Sequence, residues 1–278
     1  MSYITATTLE DALTALAAGP ASIIAGGTDW FPAQGDRHFD GTLVDISRLS
    51  ALRGVEQTET GWRIGAATTW TDIIKAELPP AFDGLKLAAR EVGSVQIQNT
   101  GTIAGNLCNA SPAADGVPPL LTLNAEVELT SVHATRRMPL HEFLQGVRKT
   151  DRTADEILTA ILIPNLPDGS KGSFVKLGAR KYLVISICMV AVALRVEGGL
   201  VSDIRIALGA ASPVAKRLIS LEEALRGLPP SDLQSAVTDD LIRGLSPITD
   251  VRASADYRQT GAKQVIRRAI FLALEGSA

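Results

Sequence analysis

The stretch whose reading decides the fold is Thr100 to Asp115, TGTIAGNLCNASPAAD. Gly101, Ala104, Gly105, Ala110, Ala113 and Ala114 carry almost no side chain there, so another group can approach the main chain closely. Thr100, Thr102, Asn106, Asn109 and Ser111 add hydroxyl and amide groups at short intervals, and Asp115 is the only charge. No apolar stripe recurs at three-to-four spacing, so the pattern does not predict an amphipathic helix. Gly, Asn and Pro argue equally against an ordinary strand. The composition predicts a backbone that wraps a polar ligand. A loop-rich connection packed beneath its own domain would have the same composition, and that reading stays open at this point.

Upstream, Thr8 with Asp11 three residues later predicts a capped helix to Ala18, burying Leu9, Ala12, Leu13 and Leu16 on one face. A short apolar strand, Ser22 to Ala25, then runs into Gly26-Gly27-Thr28-Asp29. Paired glycines after a strand permit positive φ and leave N–H groups free to face an anion. This is neither the G-x-G-x-x-G dinucleotide fingerprint nor the phosphate loop ending in Gly-Lys-Ser/Thr. Thr42 to Asp45 predicts a strand, Val55 to Ala66 a hairpin turned at Glu59-Thr60-Gly61, and Thr71 to Ala76 and Ala81 to Val92 helices. Downstream of the central stretch the pattern predicts a short helix, Val117 to Leu123, and paired strands at Glu126 to Ser131 and Ala134 to Met138. A helix at Pro139 to Gln145 and a strongly apolar strand at Glu156 to Ile163 follow. Asn165 to Gly172, with its prolines, glycines and mixed charge, is the clearest boundary. Beyond it come strands at Ser173 to Leu177, Ser186 to Val196 and Leu200 to Ala210. Helices at Val214 to Leu225, Ser231 to Leu245 and Ser254 to Glu275 complete the chain. Strands followed by helices predict a separate α+β domain.

Composition narrows the function. A net charge of −3 and 4% aromatic residues argue against a nucleic-acid partner, which wants a basic face or stacking rings. The start, MSYITATTLEDAL, does not read as a secretory signal, and no run of apolar residues is long enough to span a membrane. Cys108 and Cys188 are the only cysteines, which suits a reducing, cytoplasmic setting. With three scattered histidines they make neither a tetrahedral metal site nor an iron–sulfur ligand set.

The pieces IIAGGTDW (23–30), TGTIAGNLCNASPAAD (100–115), EILTAILIP (156–164) and FVKLGARKYLVISI (174–187) stand in the order and spacing of one group of flavoproteins. With SADYRQTGAKQVIRRA (254–269), they make the sequence resemble the FAD-binding medium subunit of molybdenum hydroxylases, the family of xanthine dehydrogenase and carbon monoxide dehydrogenase. The likeness covers essentially the whole chain. It implies an α+β fold. A two-lobed FAD-binding domain of the vanillyl-alcohol-oxidase (PCMH) type would span residues 1–167, with lobes of about 1–52 and 53–167. A smaller α+β domain of the carbon monoxide dehydrogenase flavoprotein type, an antiparallel sheet with helices, would occupy 168–278.

The resemblance further implies that Ile24, Ala25, Gly26, Gly27, Thr28 and Asp29 wrap the pyrophosphate of FAD. Thr102, Ile103, Ala104, Gly105 and Asn106 would close on it from the other side. Asp115 falls on an acidic position binding the adenosine half, Val92 and Leu158 on apolar contacts, and Lys176 on a lysine near the flavin ring. Gly178 to Ile185 falls beside the ring, where Arg180, Lys181 and Tyr182 would influence acceptor access or potential. The family's second loop is commonly T-I-G-G-N, and Ala104 here replaces its first glycine, a change an ordinary backbone conformation tolerates. The implied assembly is a heterotrimer. A large molybdopterin subunit oxidises substrate, and a small [2Fe–2S] subunit passes electrons through FAD to NAD or another acceptor. A free-standing flavin oxidoreductase of the vanillyl-alcohol-oxidase type and a cofactor-less module are the competing readings.

Overall fold

The computed structural model of the chain describes residues 1–276. Three consecutive regions of sheet are built in chain order. In the first, β1 (Ser2–Thr5), α1 (Leu9–Ala17), β2 (Ala21–Ile24), α2 (Trp30–Gln34) and β3 (Thr42–Asp45) form a parallel sheet of order β1-β3-β2. Thr8 and Asp11 close the expected capping box on α1, whose Ala12, Leu13 and Leu16 are buried.

The second region carries β4 (Val55–Thr58), β5 (Gly61–Gly65), α3 (Trp70–Lys75), α4 (Asp83–Glu91), α5 (Val95–Thr100), α6 (Ile103–Asn109) and α7 (Val117–Thr122). It continues through β6 (Glu126–Thr130), β7 (Thr135–Pro139), α8 (Leu140–Phe143), β8 (Leu144–Gly146), β9 (Lys149–Thr150) and β10 (Ile157–Pro164). Its five-stranded sheet is antiparallel, ordered β4-β5-β10-β6-β7. The most apolar segment is the central strand, because β10 is covered on both faces. A bulge at Thr159 breaks its register with β6 between Leu158 and Ala160. Extra local twist of this kind redirects the neighbouring side chain.

The third region holds β11 (Lys171–Leu177), β12 (Cys188–Glu197), β13 (Leu200–Gly209), β14 (Lys216–Arg217), α9 (Ile219–Leu225), α10 (Leu233–Ala236) and α11 (Ala255–Glu275). Its antiparallel sheet, ordered β11-β12-β13-β14, buries one face under α11 and α9 and packs β12 and β13 against α7 on the other. The α+β architecture with a smaller antiparallel C-terminal part is the one expected.

Three expectations need correcting. The central stretch is helical in part: Ile103–Asn109 is a short helix capped by Thr102 and ended by Ala110 in the left-handed region at φ 45°, and Val95–Thr100 is another just before it. Helices this short and this enclosed need no amphipathic stripe, since Ile103, Ala104 and Leu107 are all buried. The long helix expected over Ser231 to Leu245 is two fragments. Val237 leaves the helix in extended conformation and buries its side chain completely, and a 3₁₀ turn restarts at Asp240. The helix expected from Val214 begins only at Ile219, because Lys216–Arg217 pairs with β13 and Arg217 bonds the buried Glu222 carboxylate.

Candidate functional site

The two glycine-rich segments meet backbone to backbone. An added Cβ on Gly26 would lie 2.6 Å from the Thr100 carbonyl carbon and 3.0 Å from the Gly101 Cα, so only glycine permits this approach. Gly27 has φ +65°, and a Cβ there would strike the Phe31 ring at 2.6 Å. The Thr100–Thr102 segment is fixed in turn by main-chain bonds. Trp70 N donates to Gly101 O at 3.2 Å and Ile103 N to Thr68 O at 3.0 Å. Thr102 Oγ1 accepts from Gly105 N at 3.1 Å. Ala104 therefore occupies ordinary helical backbone, and the alanine costs nothing in conformation.

Between these segments lies a cleft of about 490 Å³, a size typical of small-molecule sites. Ile24, Ala25, Gly26, Gly27, Thr28 and Asp29 line one wall; Thr102, Ala104, Gly105 and Asn106 line the other. Val92 and Leu158 close its apolar part, Leu158 being the residue beside the β10 bulge. Ile103 is fully buried behind the wall and does not line the cleft.

The chemistry of the walls is that of a polar, anionic ligand. The N–H groups of Gly26, Gly27, Thr28 and Asp29 make no hydrogen bond among the described residues. Gly26, Gly27 and Thr28 are half-buried, and main-chain donors so placed are rarely left unpaired. Asn106 Oδ1 is buried in the cleft wall, also without a partner. Gly116 leaves room for that oxygen, since an added Cβ there would come within 2.9 Å of it. An orphan acceptor, free donors and a glycine cradle fit an extended cofactor carrying hydroxyls and a diphosphate.

Besides Ile103, three of the residues expected to bind the cofactor lie elsewhere. Asp115 and Lys176 form a buried pair at 2.6 Å outside the cleft walls. Ser186 Oγ donates to Asp115 Oδ1 at 2.7 Å, and Lys176 Nζ donates also to Glu91 O at 3.2 Å, immediately before Val92. Burial pushes the Asp115 carboxyl up, against the pull of the Lys176 ammonium and the Ser186 hydroxyl. Tyr182 is 62% exposed on the loop after β11, with Lys181 Nζ 5.1 Å from its ring.

Residues the sequence did not single out also form the walls. Trp70 is 1% exposed and floors the cleft; Asn109, Arg148 and Arg152 stand at the far side beside Cys108. No local pattern signals the two arginines, which arrive from the β8–β9 hairpin and the segment after it. Burial pushes the Cys108 thiol up to about 11, which makes it a packing residue at neutral pH.

A family model described as the FAD binding domain in molybdopterin dehydrogenase matches residues 1–166. Another, the CO dehydrogenase flavoprotein C-terminal domain, matches residues 173–273. The chain is 35% identical over 281 residues to the putative xanthine dehydrogenase FAD-binding subunit of Escherichia coli (strain K12), covering 97% of this chain and 96% of that one. To the carbon monoxide dehydrogenase medium chain of Hydrogenophaga pseudoflava it is 30% identical over 253 residues, 90% of this chain and 88% of that one. Among solved structures, carbon monoxide dehydrogenase from Hydrogenophaga pseudoflava lacking the Mo-pyranopterin moiety matches with a TM-score of 0.90 at 29% identity, covering 99% of this chain and 97% of that one. Quinoline 2-oxidoreductase from Pseudomonas putida 86 matches with a TM-score of 0.89 at 28% identity, again covering 99% and 97%. Both parts of the chain are thus matched: the protein belongs to the molybdenum hydroxylase family, as its FAD-binding medium subunit.

Proposed function

We propose that this subunit relays electrons from a small [2Fe–2S] partner to NAD or another acceptor, in a cytoplasmic heterotrimer whose large molybdopterin subunit oxidises the substrate. The observation that carries the reading is the convergence of two glycine-rich segments on one cleft with unpaired N–H donors on its wall. When bound there, FAD supplies the interchange between one-electron and two-electron transfer that such a relay requires. The chain's own residues hold and tune it. Ile24 to Asp29 and Thr102 to Asn106 would bind its phosphates and ribityl chain, while Val92 and Leu158 would pack on its apolar surface. Asp115 and Lys176 would set the charge at one end, with Lys176 held in place by its bonds to Asp115 and to Glu91 O. Tyr182 and Arg180 would govern the approach of the acceptor. The division into 1–167 and 168–278 is part of the same reading.

The test is an absorbance spectrum of the purified chain, mass identification of what it releases on denaturation, and co-purification with partners. Released FAD with two partner chains supports the relay. FAD with no partner at any stage of purification favours a free-standing flavin oxidoreductase. A colourless chain that takes up no FAD would mean that this member has lost the cofactor. For Arg180, an alanine variant whose flavin potential matches the wild type removes its tuning role.

A further inference from the structure

We propose that Arg148 and Arg152 form a cationic wall of the cleft that draws in and retains the diphosphate of the flavin, so that charge selects a diphosphate-bearing flavin over an uncharged one. The inference rests on the cleft being the FAD site and extends it to two residues of its lining beside Cys108 and Asn109.

Three charged side chains line the cleft: Asp29, Arg148 and Arg152. Neither arginine is in an ion pair among the described residues, although the chain carries 30 acidic against 27 basic residues. The nearby carboxylates are already engaged. Arg136 Nη1 lies 2.8 Å from Asp151 Oδ2, and Arg136 Nε 2.6 Å from Glu156 Oε1. Gln145 Nε2 donates to Asp151 Oδ1 at 2.7 Å. What holds the two arginines is neutral. Arg148 donates to the Asn109 carbonyl at 3.3 Å and to the Asn109 side chain, while its own N–H bonds Ala110 O at 2.9 Å. Arg152 Nη1 donates to the carbonyls of Thr153 and Glu156, each at 2.8 Å. Both guanidinium groups are thus positioned through one nitrogen, and their remaining N–H donors have no partner among the described residues. Arg148 is exposed and Arg152 half-buried, and no carboxylate among the described residues bonds to their charge. That charge is felt at Cys108 on the same wall, where Arg152 opposes the effect of burial.

The two walls then bind an anion by different physics. The glycine loop offers main-chain dipoles, whose pull is short-ranged and little affected by salt. The arginines offer net charge, which acts at longer range and is screened by ions. A flavin lacking phosphate would gain from neither.

The test uses the full chain freed of flavin, titrated with FAD and with riboflavin at several potassium chloride concentrations. Removing one charged donor to an anion costs on the order of tenfold in affinity. The double variant R148Q/R152Q is expected to bind FAD at least about tenfold more weakly at low salt. Its FAD affinity should also fall less steeply with salt than the wild type's. Riboflavin affinity should not change, R148K/R152K should restore most of the loss, and R137Q/R243Q should leave FAD binding alone. Unchanged FAD affinity and salt slope in R148Q/R152Q would overturn the proposal while leaving the FAD site standing. So would an equal loss of FAD and riboflavin, which marks a merely structural role. A wild-type chain that binds neither flavin would overturn both.

Discussion

Replacing Gly26 by alanine tests the contact on which the site is built. The new Cβ would meet the Thr100 carbonyl carbon at 2.6 Å and the Gly101 Cα at 3.0 Å, with the carbonyl oxygen nearer still. Carbon atoms rest at about 3.5–4.0 Å, so the two segments would have to part by roughly 1 Å. Neither can yield easily. Ile24 is held in the parallel sheet opposite Asp45, and Gly101 and Ile103 are bonded to Trp70 and Thr68. Overpacking of this kind costs about 1–3 kcal/mol, a fall in Tm of roughly 2–10 °C for a chain of this size. The effect on the ligand should be larger. Each charge-assisted bond to phosphate lost by the displaced wall removes about 1.5–3 kcal/mol, so FAD affinity should drop by about tenfold to a hundredfold. Thermal unfolding of the apo chain and titration with FAD measure the two effects separately. Gly146→Ala is the control, since its Cβ would find nothing closer than Lys149 Cβ at 3.8 Å. A Gly26→Ala chain with wild-type Tm and wild-type FAD affinity would show that the two segments do not touch as described.

Thr102→Ala removes the cap of α6 and should cost about 1 kcal/mol in thermal or urea unfolding, with part of the loss appearing in FAD affinity. Lys176→Met strands Asp115 in a buried setting and should destabilise by about 3–5 kcal/mol near pH 7. Because protonated Asp115 needs no counter-ion, the deficit against wild type should shrink as pH falls, and urea midpoints at pH 5 and pH 8 decide it. Arg136 holds the Glu156 carboxyl down at about 2, so this carboxylate contributes stability above its ordinary value that is lost as pH falls toward 2. Glu156→Gln should flatten that part of the acid-unfolding curve. Cys108, with its thiol pushed up to about 11, should resist a disulfide reagent at pH 7.5 in the folded chain and react at once in denaturant.

Much of this was legible in the sequence, for definite reasons. Thr8 and Asp11, the Gly26–Gly27 turn, the apolar run of β10 and the Glu59–Gly61 turn are local signals, and each formed the element it predicts. Of the residues expected to bind the cofactor, Ile24 to Asp29, Thr102, Ala104, Gly105, Asn106, Val92 and Leu158 line one cleft. What could not be read was set by distant partners. The helix over Ile103–Asn109 needs no stripe because it is enclosed by the rest of the fold. Val237 breaks a promising helix because burial rewards its side chain more than another turn would reward its backbone. Arg148 and Arg152 reach the cleft from the β8–β9 hairpin and the segment after it, where no local pattern singles them out.

The buried pair of Asp115 and Lys176 has a consequence for how the chain divides. One partner precedes the connection after β10 and the other follows it, and α7, which begins just after Asp115, packs directly on β12 and β13. Two family models split the sequence here, but the energetics do not split with it. A fragment ending near residue 166 would contain every residue that lines the cleft, yet it would bare the apolar face of α7 and deprive Asp115 of its ammonium partner. Such a fragment should melt broadly or aggregate, while the intact chain unfolds in a single step. Two ranges of sequence, one matched by each family model, should thus unfold as one unit of cooperativity.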